Sequence, residues 1–129
     1  MKLPADGGSY FRRDAAVIYL NRRYYSVAAA ILAGVHQEVA GYLDPDTPLF
    51  TKPLERGLAL AENPDESFGK NRCRILAQAL WNAHEKGFAG EDQRLEELDR
   101  EFRASGLRLD RPYWNAGSRD EYDFPPAGL

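Results

Sequence analysis

Apolar residues recur with helical spacing in three stretches of the chain. Val27, Ala28, Ile31, Leu32, Val35, Val39 and Leu43 follow the i, i+3, i+4, i+7 rhythm of one buried stripe, which predicts a helix over 23–43. Asp44-Pro45-Asp46-Thr47-Pro48 stops it, since proline cannot continue a helix. Phe68, Ile75, Leu76, Ala79, Leu80 and Ala83 predict a second helix over 68–85. Ser67 is its expected N-cap, Asp65 and Glu66 lie near its positive end, and Gly87 is its stop signal. Leu95, Leu98 and Phe102 predict a third, highly charged helix over 91–104, closed by Gly106. Along it Glu96 supports Arg100 at i, i+4, whereas Glu97 and Glu101 repel.

The remaining apolar runs are shorter and read as extended. Tyr10 to Leu20, with Ala15-Ala16-Val17-Ile18-Tyr19-Leu20 as its apolar end, lacks alternation and predicts a strand buried on both faces. Leu49-Phe50-Thr51 and Leu58-Ala59-Leu60-Ala61 predict two short strands, with Pro53 and Gly57 marking the turn between them. The 107–129 segment is rich in aromatics, Pro and Gly, and is expected to pack on the domain rather than hang as a linker. Together these elements predict an α+β fold, three helices packed with a small sheet. A flexible 1–9 start, one domain over 10–124 and a 125–129 tail complete the expected organisation.

Length and composition narrow the function classes. At 129 residues and 14.5 kDa one domain is the expectation. No apolar run reaches the roughly 18 residues of a membrane helix, and residues 1–8 show no apolar signal core, so a cytoplasmic location without membrane contact is expected. The single Cys73 excludes an intramolecular disulfide framework and a cysteine-rich metal site. A net charge of −3 argues against general nucleic-acid binding. Of the 17 basic residues only Lys2, Lys52, Lys70 and Lys86 are lysine. Arginine forks suit phosphate, although a GC-rich genome explains the same bias. Residues 1–90 carry net +1 and 91–129 net −4, which directs a phosphate site to the first two thirds.

Three places put a charge where ordinary surface chemistry does not ask for one. Arg72 lies three and four residues before Ile75 and Leu76, on the apolar stripe, where a charge is costly without a partner. It either packs its stem and pairs with Glu66 or Asp65, or meets an anion near the helix start beside the backbone donors of Ser67-Phe68-Gly69. Lys52 sits between Thr51 and Pro53 in an irregular stretch, with Arg56 four residues on. It is either a surface lysine at a strand end or a general base, a role lysine takes where its neutral form is favoured. Arg12-Arg13-Asp14 is either a locally paired charge cluster or a second phosphate clamp. His36 and His84 fall on separate helices without carboxylates at metal spacing, so no zinc site is expected. Cys73, though flanked by Arg72 and Arg74, reads as packing material rather than a nucleophile.

Three stretches together resemble a known family. They are Pro48-Leu49-Phe50-Thr51-Lys52-Pro53-Leu54 with Gly57-Leu58-Ala59-Leu60-Ala61-Glu62-Asn63-Pro64, then Ser67-Phe68-Gly69-Lys70-Asn71-Arg72-Cys73, then Asp110-Arg111-Pro112-Tyr113-Trp114-Asn115-Ala116-Gly117-Ser118. The sequence is similar to the HopA-type effector family over about Tyr10 to Phe124. That family includes type III secreted effectors and relatives encoded beside lanthipeptide-type clusters. The resemblance implies longer members with further sequence upstream, so the chain is expected to be a short form, one half of a split protein or a fragment. For the biosynthetic members it implies a phosphoserine/phosphothreonine lyase, a carbon–oxygen lyase working after a kinase-like partner on a phosphorylated precursor peptide. In that role Lys52 would be the base and His36 the candidate acid. Arg13, Arg56 and Arg72 would bind phosphate, with Ser67 and Gly69 adding donors. No metal or organic cofactor is needed for such an elimination. The alternatives are a non-catalytic peptide- or partner-binding subunit and a type III effector domain acting on a host protein, the latter secreted rather than cytoplasmic.

Overall fold

Local signals fix the two C-terminal helices. In the computed structural model, which describes residues 1–126, α2 runs Phe68–Glu85 and α3 runs Glu91–Ala104, as the apolar spacing predicts. The Ser67 hydroxyl accepts from the Lys70 amide at 3.3 Å, the expected cap. Beyond α2 the Phe88 amide donates to the Ala83 carbonyl, and beyond α3 the Leu107 amide donates to Phe102, so both helices close on their last turn. Of the expected tail 125–129, residues 127–129 lie outside the described residues.

Preceding these, α1 runs Tyr25–Val39 between 3-10 turns Arg22–Tyr24 and Ala40–Tyr42, and β1 (Lys52–Glu55) and β2 (Leu58–Leu60) form a two-stranded hairpin. Two connecting residues require the pair to be antiparallel. The fold is therefore α+β. Among the described residues no helix is long and apolar enough to cross a membrane.

The chain divides into two compact units. The first holds Met1–Leu49, Pro53–Ala59 and the residues from Asp120; the second holds Phe50–Lys52 and Leu60–Arg119. In the second unit α2 packs on α3 around Ile75, Phe102 and Leu107, with Phe50, Leu98 and Leu109 against them. Phe102 is fully buried and its ring meets Phe50 at 5.5 Å. Phe50 has a φ of 67°, an uncommon conformation for a bulky residue. Glu97 is also fully enclosed; the Lys86 ammonium reaches both its oxygens at 2.7 Å and Arg100 binds it as well. In the first unit Tyr25 packs edge-on to Tyr122 at 5.0 Å, and Arg22 lies over the Tyr122 ring and pairs with Glu121.

Four expectations are corrected. Tyr10–Leu20 is not a strand: Tyr10 and Phe11 end a 3-10 turn, and only Val17 bridges, to Lys2. An apolar run becomes a strand only where another strand takes its backbone groups, and here the pairing stops at one bridge. The first hairpin strand begins three residues later than predicted, and Pro53 lies inside it rather than at the turn. Both strands of a two-stranded sheet are edges, where proline is tolerated. The buried stripe of α1 is Tyr25, Ala29, Ala33 and His36, whereas the predicted Val27, Ile31, Val35 and Val39 are exposed. Leu80 and Leu95, placed on buried stripes, are about half exposed in an open groove between α2 and α3.

The turn itself is at Arg56-Gly57. Gly57 has a φ of +65°, and a Cβ there would fall 2.5 Å from the Asp44 carbonyl oxygen and 2.7 Å from the Leu43 Cβ. Only glycine meets both demands.

Candidate functional site

Of the three stretches that carry the resemblance, Phe50–Lys52 and Leu60–Pro64 of the first and the whole of the other two lie in the second unit. Arg72, on α2, is fully buried. Its Nε donates to the Pro112 carbonyl at 2.8 Å, a terminal nitrogen donates to Trp114 at 2.6 Å, and the other meets the Asn71 side chain. The Phe68 ring lies 4.9 Å from its guanidinium carbon. Burial pushes the Arg72 pKa down, and the charge of Glu62 opposes that shift. Glu62 holds the same ribbon, residues 112–115. Its amide donates to the Tyr113 carbonyl at 2.9 Å, and its carboxylate accepts from the Asn115 amide at 2.6 Å. The Asn115 side chain donates to the Asn63 carbonyl at 3.0 Å.

Lys52, the first residue of β1 and only partly exposed, holds its ammonium 5.7 Å from the Tyr113 ring centre. Arg111 donates to the Tyr113 hydroxyl at 3.2 Å and stacks 5.5 Å over the Trp114 ring. The Tyr113 and Trp114 rings meet edge-on at 5.7 Å. Trp114 Nε1 is buried and finds no acceptor among the described residues. Two cations therefore lie on one aromatic pair, Lys52 on Tyr113 and Arg111 on Trp114, an arrangement that can meet negative charge.

The other expected site residues fall as follows. Ser67 caps α2, and Gly69 is exposed with nothing within 4 Å of where a Cβ would stand. Glu66, one of the expected partners of Arg72, instead engages Arg74 and Asn71, which together hold its carboxyl below the usual range. Arg13, His36 and Arg56 belong to the first unit. His36 is buried and its Nε2–H donates to the Arg56 carbonyl at 2.8 Å. The Arg56 side chain is on the exposed turn, and Arg13 pairs with Asp46 at 2.7 Å. Asp14 is taken by Arg12 at 2.9 Å, the local pairing the sequence allows, which holds the Asp14 carboxyl low. Sequence reasoning missed Tyr113, Trp114, Arg111 and Glu62 as site members. The available signal was the density of aromatic and charged residues in 110–115.

A family model for the HopA1 effector protein family matches residues 1–114. The chain belongs to that family. The matched region takes in the hairpin, all of α1 to α3 and the chain as far as Trp114. No curated protein and no solved structure matches the chain at a significant level.

Proposed function

We propose that this HopA1-family chain is a phosphoserine/phosphothreonine lyase-like protein, or the catalytic half of one. It would act after a kinase-like partner on a phosphorylated precursor peptide and leave a dehydroamino acid, as in lanthipeptide-type biosynthesis. The observation that carries the reading is the pair of cations on adjoining rings, Lys52 over Tyr113 and Arg111 over Trp114. Cationic side chains on aromatic faces are a setting that offsets the charge of a phosphate. In the elimination Lys52 is the group that takes the Cα proton. The C–H electron pair becomes the second bond between Cα and Cβ, the Cβ–O bond breaks, and phosphate leaves with the Cβ–O pair towards Arg111. Arg72 is a positioning residue in this reading, since its donors hold the ribbon that carries Arg111 and Trp114.

The test follows the mass of a phosphothreonine peptide incubated with the full chain. Loss of the elements of phosphoric acid, abolished by Lys52→Ala, is the expected result. Restoration of activity only by a second polypeptide identifies the chain as one half of a split enzyme. Unchanged mass with every such addition, while the peptide stays bound, returns the second reading: a non-catalytic peptide- or partner-binding subunit, or an effector domain acting on a host protein. The engagement of all three faces of the Arg72 fork by protein acceptors favours that second reading.

A further inference from the structure

The outer face of α1 is built for a second helix. Tyr25, Ala29, Ala33 and His36 are its buried side. Val27, Ile31 and Val35 stand two residues further along, about 200° around at 100° per residue, and are 65%, 63% and 50% exposed. Ala30 and Gly34 share that outward side and are exposed too. From Tyr24 to Gln37 there is no Asp, Glu, Lys or Arg, and the one histidine, His36, is buried. A solvent-facing helix ordinarily carries charge on its outer side; this one carries valine, isoleucine and glycine.

Gly34 has no internal reason to be glycine. It is not at a turn, its φ is not positive, and a Cβ there would meet nothing within 4 Å. Glycine in mid-helix is costly, and close approach of another backbone is the usual return.

We propose that the outer face of α1 pairs antiparallel with α1 of a second copy of this chain, with Gly34 at the crossing. Complementarity within the face itself selects that occupant. With a two-fold axis between Ala30 and Ile31, Val27 of one copy meets Gly34 of the other and Ala30 meets Ile31, large against small on both sides. The same register sets Arg23, before the helix, opposite Glu38, near its end. Antiparallel alignment also opposes the two helix dipoles favourably. The contact is isologous and therefore closes at two copies. One helix face is smaller than the roughly 800 Å² per partner of a standard interface, which places the pair among the small, transient contacts.

Sedimentation velocity of the full chain over a concentration series tests this. The expected result is a monomer–dimer equilibrium. Ile31→Glu should weaken it by about tenfold or more, because two carboxylates meet at the axis, while circular dichroism stays unchanged at this exposed site. Gly34→Ala separates pairing from folding: it should raise the melting temperature of the monomer, alanine being the better helix former, and still weaken the dimer. Glu38→Arg should weaken the dimer, and Arg23→Glu added to it should restore association, which a parallel pair would not show. A chain that stays monomeric at every concentration, a dimer indifferent to Ile31→Glu, or a failed charge swap each overturns the proposal; the first leaves the face to a different protein.

Discussion

Replacing Arg72 with methionine isolates what the buried fork does. The stem volume is kept and the guanidinium is removed. Two bonds to backbone carbonyls are lost, to Pro112 at 2.8 Å and Trp114 at 2.6 Å. A hydrogen bond to a charged group contributes about 1.5–3 kcal/mol, so the pair contributes roughly 3–6 kcal/mol before any offset. Burying the guanidinium opposes this, and the downward pKa shift of Arg72 has the same origin. Pro112 and Trp114 are only partly buried, so water can reach their carbonyls once the fork is gone. The net cost of Arg72→Met should be about 2–3 kcal/mol, a large share of the roughly 5–15 kcal/mol that holds a domain together. Arg72→Lys should fall between, because one ammonium cannot span both carbonyls with the geometry of a fork.

Urea unfolding measures the global loss, and amide exchange locates it. The Asn115 amide, bonded to Glu62, and the Trp114 amide, bonded to Arg111, should exchange faster in Arg72→Met, well beyond the change at mid-α3 amides. A variant within about 0.5 kcal/mol of the wild type, with protection at Trp114 and Asn115 unchanged, would refute the clasp and return the Arg72 guanidinium to ligand binding.

Gly57→Ala should destabilise by about 2 kcal/mol or more, since the new methyl combines a positive φ with a 2.5 Å approach to the Asp44 carbonyl oxygen; thermal unfolding reads it, and an unchanged midpoint would mean the turn lies elsewhere. Glu97 has its carboxyl held below its ordinary value of 4.5, first by the hydrogen bond from Lys86 and then by the charges of Arg100 and Lys86, against the cost of burial. A depressed folded-state pKa gives stability that is present above the ordinary carboxyl range and disappears as pH falls through the folded value. Unfolding free energy should therefore decline on acidification below about pH 4.5 and decline less steeply in Glu97→Gln, measured by urea titration at stepped pH; parallel slopes for the two proteins would sink the assignment.

What could be read from the sequence divides along the range of the interactions. α2 and α3 were legible to the residue because Ser67, Gly87, Gly106 and the apolar spacing are all local to the helices they bound. The face of α1 was not. Hydrophobicity ranks Val27 and Ile31 above Ala29 and Ala33, yet the small residues are buried and the larger ones face outward, an orientation set by what packs on the helix and not by its own pattern. The strand expected over 10–20 failed for the complementary reason: its apolar content was real, but pairing needs a second segment, and Lys2 offers one bridge.

The same division runs through the site. Arg72 was visible because a charge on an apolar stripe is anomalous within one helix. Its acceptors lie 40 and 42 residues away, and Glu62 reaches 53 residues to Asn115, so nothing local could nominate them. Glu97 is the sharpest case. In sequence it is one half of a repulsive pair with Glu101, four residues on. In the fold Glu101 turns to Asn82 and Glu97 takes Lys86 and Arg100. The repulsion is removed by Arg100 of α3 itself and by two partners from outside it, Asn82 of α2 and Lys86 of the turn after α2. A helix whose own charges conflict is thus a helix that requires a particular neighbour, and the conflict selects how α3 docks on α2.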